Sequence, residues 1–301
     1  MNIVAIDIGG TDIKYGLISE KGSILDKGIV STGCQISMEK LLEKIECIID
    51  GYIDQDILGI GISSTGQVDS KECKIIGGTD IVKNLIGKDL GKKLAEKYSL
   101  EVAMDNDVNC AALGEYWQGG AMGHKDFICL TIGTGIGGAI VIDGKVYSGI
   151  NGVAGEFGHI QIEKNGRQCG CGKKGCYEAY GSTSSLIRMA EEKFGEKLNG
   201  KEIFKKIHEG KEEYIELFNQ WCDYISDGLS IIINIFNPPL VLIGGGVSAQ
   251  GEFLIENIKK SLENKIGVNY KKNLEIKVAE TGNDAGILGA AYLLLEKKEL
   301  N

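Results

Sequence analysis

Residues 155–178, GEFGHIQIEKNGRQCGCGKKGCYE, gather His159, Cys169, Cys171 and Cys176 in the pattern H-x9-C-x-C-x4-C. Three thiolates and one imidazole make the closed four-coordinate donor set that a structural zinc ion takes. Glycines at 166, 170, 172 and 175 let a short loop bend until the sulfurs meet at one point. Glu156 and Glu178 bracket the loop, and a purely structural metal knuckle has no use for them. The expectation is a metal-stiffened loop that presents acidic groups and one face of His159 to a polar ligand. The competing readings are a disulfide pair or unrelated buried thiols. The chain enters a strand pattern at once, MNIVAIDIGG, so no secretory leader is expected, and nine cysteines cannot all pair. A reducing, cytoplasmic setting is therefore expected. Cys34, Cys47, Cys73, Cys110, Cys129 and Cys222 read as scattered ordinary thiols.

Two glycine turns suggest phosphate chemistry. Residues 4–18, VAIDIGGTDIKYGLI, align with residues 128–142, ICLTIGTGIGGAIVI, so that Asp7 falls on Thr131 and Gly9 on Gly133. Each copy reads strand, glycine turn, strand, and two such hairpins would grip the ends of a polyphosphate. In the first, Asp7 is placed to hold hydrated magnesium, with Thr11 and Lys14 in reach of phosphate. GTGIGG at 133–138 fits G-x-G-x-x-G, but a strand and the turn at Gly144 follow where a dinucleotide site needs a helix. That reading is rejected; the competing one for either turn is a tight hairpin with no ligand. Between the copies stands Asp105-Asn106-Asp107-Val108-Asn109, after a strand and opening a helix. Asp and Asn are ordinary helix caps, yet three such residues in a row exceed what one cap needs. Asp107 is the candidate base for a sugar hydroxyl, Asn106 the candidate for orienting it, and Asp105 is expected to be structural.

The elements that must carry these residues are legible as patterns. The first thirty residues read as an antiparallel meander with a turn at Glu20-Lys21-Gly22. Met38–Tyr52 has helical spacing, Ile57–Ser63 and Glu101–Met104 read as buried strands, and Val108–Trp117 as a helix. A strand at Phe127–Ile132 and a hairpin turning at Asp143-Gly144 open the second half. Helices follow over about 184–235, then strand LVLIGG, a helix from Glu252, strand LEIKVAE and a final helix from about Ala285. A net charge of −9 disfavours nucleic-acid partners, and no apolar run approaches membrane-spanning length. Forty-four glycines against two prolines point to close backbone approach at several places.

Taken together, these motifs resemble the ROK sugar kinases over nearly the whole chain. The pieces are DIGGT at 7–11, STG at 64–66, DNDVN at 105–109, TIGTGIGG at 131–138 and GEFGH at 155–159. CGCGKKGC at 169–176, Glu178, IGGG at 243–246 and GNDAG at 282–286 complete the set. The resemblance implies a two-domain α/β fold, actin/hexokinase-like (ribonuclease H-like), with an interdomain cleft. It places 1–118 plus about 285–301 in a smaller N-terminal domain and 119–284 in a larger domain with the zinc loop. It assigns Asp7, Gly9, Gly10, Thr11 and Lys14 to one phosphate region and Thr131, Gly133 and Thr134 to the other. Gly244, Gly245 and Gly246 should lie beside the adenosine, and Asp107 matches the catalytic base. Gly66, Asn106, Asp107, Glu156, His159 and Glu178 match sugar-binding positions, with His159 shared between zinc and a hydroxyl. Ser64-Thr65 and Asp12 depart from residues often seen there, which loosens any inference about the sugar.

The implied activity is an ATP- and Mg²⁺-dependent hexose kinase acting on the 6-hydroxyl of glucose or an N-acylhexosamine such as N-acetylmannosamine. Sugar would bind between domains that close around it. A β-glucoside kinase and a non-catalytic sugar sensor are the alternatives; the family's repressors carry a DNA-binding segment ahead of the first glycine turn, which begins here at residue 7. The expected partners are sugar, ATP and a second copy in a homodimer, with structural Zn²⁺ in the loop and neither nucleic acid nor membrane. Glu156 and Glu178 are expected to grip ring hydroxyls near C1 to C3, so that losing either weakens sugar binding and leaves nucleotide binding nearly unchanged.

Overall fold

A computed structural model describes residues 1–33, 35–78 and 83–299; Cys34 lies outside the described residues. The chain divides into two units, 1–125, 140–154 and 280 onward in the first, 126–139 and 155–279 in the second. These limits differ from the boundaries expected at 118/119 and about 285, chiefly by giving residues 140–154 to the first unit. The reasons are local. Gly144 donates to Lys125 O, and Gly152 lies so close to Val68 O that a Cβ there would stand 2.9 Å from it.

The first unit is built on β1 (Asn2–Ile8), β2 (Asp12–Ser19) and β3 (Ile24–Ser31), an antiparallel meander as its alternating pattern predicts. Helix α1 (Met38–Asp50), capped by Ser37, leads to β4 (Ile57–Ser64), which lies parallel to β1. A small hairpin of β5 (Gln67–Asp69) and β6 (Lys74–Gly77), then α2 (Leu90–Tyr98), precede β7 (Glu101–Asn106), parallel to β4. Sheet order is β3-β2-β1-β4-β7. Helix α3 (Asp107–Gln118) follows β7 directly.

Period-two alternation splits β1 between two cores. Val4, Ile6 and Ile8 face Leu41, Ile45 and Leu94 of α1 and α2. Ile3 and Ala5 face Cys110 and the C-terminal residues Ile287, Ala290 and Leu294. Each fully buried aliphatic side chain of this kind contributes about 1.5–3 kcal/mol.

The second sheet repeats this plan, with residues 140–146 of its strands counted in the first unit. This sheet contains β8 (Phe127–Ile132) and β9 (Ile136–Ile142), which continues to β10 (Lys145–Val146) through the Asp143-Gly144 turn, both residues at positive φ. Then come α4 (Glu178–Gly181), α5 (Thr183–Phe194), α6 (Gly200–His208) and α7 (Glu212–Phe236). β11 (Leu240–Gly244), α8 (Glu252–Leu262), α9 (Val268–Lys271) and β12 (Glu275–Val278) complete it. Strand order is β10-β9-β8-β11-β12, the same third-second-first-fourth-fifth sequence as in the first sheet. The echo at offset 124 is therefore an echo of topology.

The chain ends in α10 (Ala285–Glu299), which packs on α3 within the first unit. A Cβ on Gly289 would stand 1.6 Å from Cys110 O, and one on Gly114 2.4 Å from Ala285 O, so these helices meet backbone to backbone. No described helix is long and apolar enough to cross a membrane.

Candidate active site

Three motifs of the first unit converge because their strands are neighbours in register. Asp7 on β1 pairs with Ser63 on β4, and Ser63 with Asp105 on β7. The row lies at the carboxyl ends of parallel strands, where open α/β sheets place ligands. Fully buried Ser63 donates to Asp7 Oδ1 at 2.6 Å, and Lys14, opposite Asp7 on β2, brings Nζ within 3.9 Å of Oδ2. Burial pushes the Asp7 carboxyl up, while the Ser63 bond and Lys14 pull it back. Gly9, Gly10 and Thr11 form the turn between β1 and β2; Gly9 donates to Asp12 O, and Thr32 Oγ1 donates to Gly9 O at 2.8 Å. Gly286 stands against the same carboxylate, since a Cβ there would fall 2.6 Å from Asp7 Cγ.

The acidic run divides its labour. Asp105 is buried, and its Oδ1 accepts from Asn109 Nδ2 at 2.9 Å and from the Asn106 amide, the structural role expected of it. Asn106 caps α3, its Oδ1 accepting from the Val108 and Asn109 amides, and its Nδ2 donates to Gly66 O at 2.8 Å. Gly66 occupies φ 94°, the left-handed region that favours glycine. Asp107, half-buried in the first turn of α3, accepts from Val108 N at 2.9 Å. Burial first and the Asp7 carboxylate second push Asp107 up to about 7, against the pull of that amide. A carboxyl balanced near neutrality is suited to proton transfer at physiological pH.

In the second unit, Thr131 on β8 stands opposite Gly244 on β11 in register. Gly133 and Thr134 lie in the turn between β8 and β9, which closes by a bond from Gly133 N to Gly135 O. Gly245 has φ 81°, and a Cβ on it would meet Ile132 O at 2.4 Å. The IGGG segment, with Gly246 opening a short helical turn, thus abuts the base of the second glycine turn by bare backbone.

The cysteine loop brings its donors together. Cys171 Sγ lies 3.6 Å from Cys176 Sγ, Cys169 Sγ lies 3.8 Å from His159 Nδ1, and all four donor atoms fall within 4.8 Å of one another. A tetrahedron with metal–sulfur bonds of ~2.3 Å has edges of ~3.8 Å, so the set fits a tetrahedral cation. All three cysteines are free thiols. Burial pushes the Cys176 thiol up to about 12 and raises Cys169 too, while the Lys173 amide lowers Cys171. A bound cation is what would convert all three to thiolates. The other imidazole nitrogen, Nε2, lies 3.9 Å from Glu156 Oε2. Glu178 Oε2 accepts from Ile136 N at 3.0 Å. Tyr177, fully buried, fixes the start of α4: its hydroxyl donates to Ile225 O at 2.7 Å and its ring fills the space over Gly228 of α7.

Sequence patterns missed three contributors. Ser63 sits one residue before the STG motif and was legible only as a strand residue. Gly286 was part of a motif but had no role until Asp7 was seen beside it. Glu115 is 1% exposed and accepts from Gly120 N, Glu280 N, Thr281 N and Thr281 Oγ1 at 2.5–3.0 Å. A lone acid inside the apolar run CAALGEYW was its only signal.

Paired strand–turn–strand sheets carrying a carboxylate row and glycine turns define an α/β fold of the actin and hexokinase type. Residues 3–297 match the sequence model of the ROK family, and the chain belongs to that family. A glucokinase from Streptomyces coelicolor is 32% identical over 97% of both chains. A beta-glucoside kinase from Listeria innocua is 33% identical over 99% of both. A solved ROK family glucokinase from Streptomyces griseus, in complex with glucose and AMPPNP, superposes with a TM-score of 0.84 at 33% identity, covering 98% of this chain and all of the other.

Proposed function

We propose that this protein is an ATP-dependent sugar kinase that phosphorylates the 6-hydroxyl of an aldohexose. The observation that carries the reading is Asp107, held near neutrality beside the Asp7 hairpin at the carboxyl edge of parallel strands. Asp107 accepts the O6 proton as that oxygen bonds to the γ-phosphorus and the bond to ADP breaks. Asp7 fits a hydrated magnesium ion, for Ser63 and Lys14 leave carboxylate lone pairs to spare. Magnesium would supply charge neutralisation of the phosphates. Gly9, Gly10, Thr11 and Lys14 serve one phosphate region, Thr131, Gly133 and Thr134 the other, and Gly244, Gly245 and Gly246 the adenosine. Gly66, Asn106, Glu156, His159 and Glu178 recognise the sugar.

Zinc is the cation assigned to His159, Cys169, Cys171 and Cys176. Four protein ligands would leave no open position, so the ion would shape the loop rather than activate water. With Nδ1 turned to the thiols, Nε2 is left for a hydroxyl, and a bound metal would fix that tautomer. Elemental analysis of purified protein should give one zinc per chain; a metal-free protein with unchanged sugar affinity would refute the assignment. The free thiols suit the cytoplasm, and a homodimer, checked by sedimentation, is the assembly adopted.

Relatives named glucokinase, N-acetyl-D-glucosamine kinase and beta-glucoside kinase support glucose, N-acylhexosamines and 6-hydroxyl β-glucosides as the substrate classes to test. A coupled assay of ADP release across these sugars decides among them. Sugar-dependent ADP formation with phosphate on O6 is expected. Sugar binding without turnover for every class would favour the sensor reading instead.

A further inference from the structure

The Glu178 carboxylate faces two ways. Oε1 lies 3.9 Å from Cys169 Sγ, and Oε2 accepts the Ile136 amide, the first residue after the second glycine turn. A Cβ on Gly135 would fall 2.2 Å from Oε2, so the turn is drawn directly over this carboxylate. A second tether leaves the same short stretch: Thr183 N, at the start of α5, donates to Gly133 O at 2.9 Å. Both tethers emerge within seven residues of the loop donor Cys176, and the stretch between is immobilised. Tyr177 is locked into α7, and Trp221 Nε1 donates to Ser182 O at 2.9 Å. A carboxylate bond to a backbone amide is roughly twice as strong as a neutral one, so Glu178 is a strong clamp on a turn whose glycines supply little rigidity.

We propose that Glu178 is a positioning residue for the second glycine turn, and that metal loading of the cysteine loop is transmitted through it to the backbone at 133–136. This goes beyond sugar recognition: loop, clamp and turn form one continuous path inside the second unit. It also changes an expectation drawn from sequence, because Glu178 now bears on nucleotide affinity as well as on sugar. Only that consequence rests on the kinase reading; the clamp itself does not.

Hydrogen–deuterium exchange of the ligand-free protein tests the path, comparing zinc-loaded wild type, chelator-stripped wild type, E178A and E178Q. Amides at 133–136 should exchange about tenfold faster in E178A and in stripped protein, and less so in E178Q, whose amide oxygen still accepts. Strand β1, in the other unit, serves as the reference and should not change. Unaltered exchange at 133–136 in E178A overturns the clamp, and unaltered exchange in stripped protein overturns the link to the metal. Acceleration spread equally to β1 also overturns the proposal, since the turn is then not singled out. ATP titration without sugar should show affinity weakened about 3–10-fold in E178A. Unchanged affinity with faster exchange would overturn the nucleotide consequence. A wild type that binds no ATP, with exchange responding as stated, would sink the kinase reading and leave the clamp standing.

Discussion

Asn106 Nδ2 donates to Gly66 O across 2.8 Å, joining the glycine after β4 to the cap of α3. The same side chain's oxygen holds the Val108 and Asn109 amides. The amide proposed to orient a sugar is thus also the clasp between two loops at the strand ends. Asn106→Ala should cost about 1–2 kcal/mol of stability through the lost cap and the orphaned carbonyl. Urea denaturation measures it; a loss of sugar affinity with no loss of stability would leave Asn106 as a ligand contact only.

Asp107→Asn keeps the shape and removes the proposed base. Turnover should fall by ~10²–10⁴, the usual contribution of a positioned base. In the wild type, kcat/KM should rise with pH through about 7, because in the proposed reaction only the ionised carboxylate can accept the hydroxyl proton. The stability sign runs the other way. A carboxyl raised from 3.8 to about 7 favours the fold fully below 3.8, and that contribution is lost as pH rises through about 7. Asp107→Asn should therefore gain on the order of 1 kcal/mol at pH 8, discounted for partial exposure, and nothing at pH 3. Thermal melts at both pH values give the comparison, and equal shifts would refute it.

Gly286→Ala sets helix propensity against site geometry. Within α10, alanine improves on glycine by ~1 kcal/mol. The new Cβ would stand 2.6 Å from Asp7 Cγ, and that short side chain must move away. Misplacement by about 1 Å costs on the order of 10² in rate. The expected variant is folded, with little change in melting temperature and kcat reduced ~10–100-fold. Wild-type kcat would show that Asp7 tolerates displacement.

Glu115 makes its four bonds in the segments that join the two units by sequence, at Gly120 and at Glu280-Thr281. Glu115→Ala orphans buried donors and should cost about 3–5 kcal/mol; Glu115→Gln should cost about 1–2 kcal/mol. Denaturation midpoints of the two variants check the order. Equal costs would show that the charge itself contributes nothing.

Much of the candidate site was legible because its residues lie in short motifs whose chemistry is local. The four candidate metal donors span eighteen residues, so spacing alone singled them out, and the strand–turn–strand echo at offset 124 needed only hydrophobic pattern and glycine. The β5–β6 hairpin and α2 escaped, being short elements of three, four and nine residues. Other facts were unreachable by any local rule. Asp107 sits near 7 because burial strips its water and Asp7, a hundred residues earlier, repels its charge. That neighbour arrives through the parallel order β1-β4-β7, a long-range pairing. Glu115 reads as one acid in an apolar helix until residues 280 and 281 fold back onto it. Glu178 reads as a loop carboxylate until Ile136 N meets it from forty-two residues away. Residue types and spacing determined which groups are candidates for the chemistry; burial and strand order, which sum contacts over the whole chain, decided how those groups are charged and held.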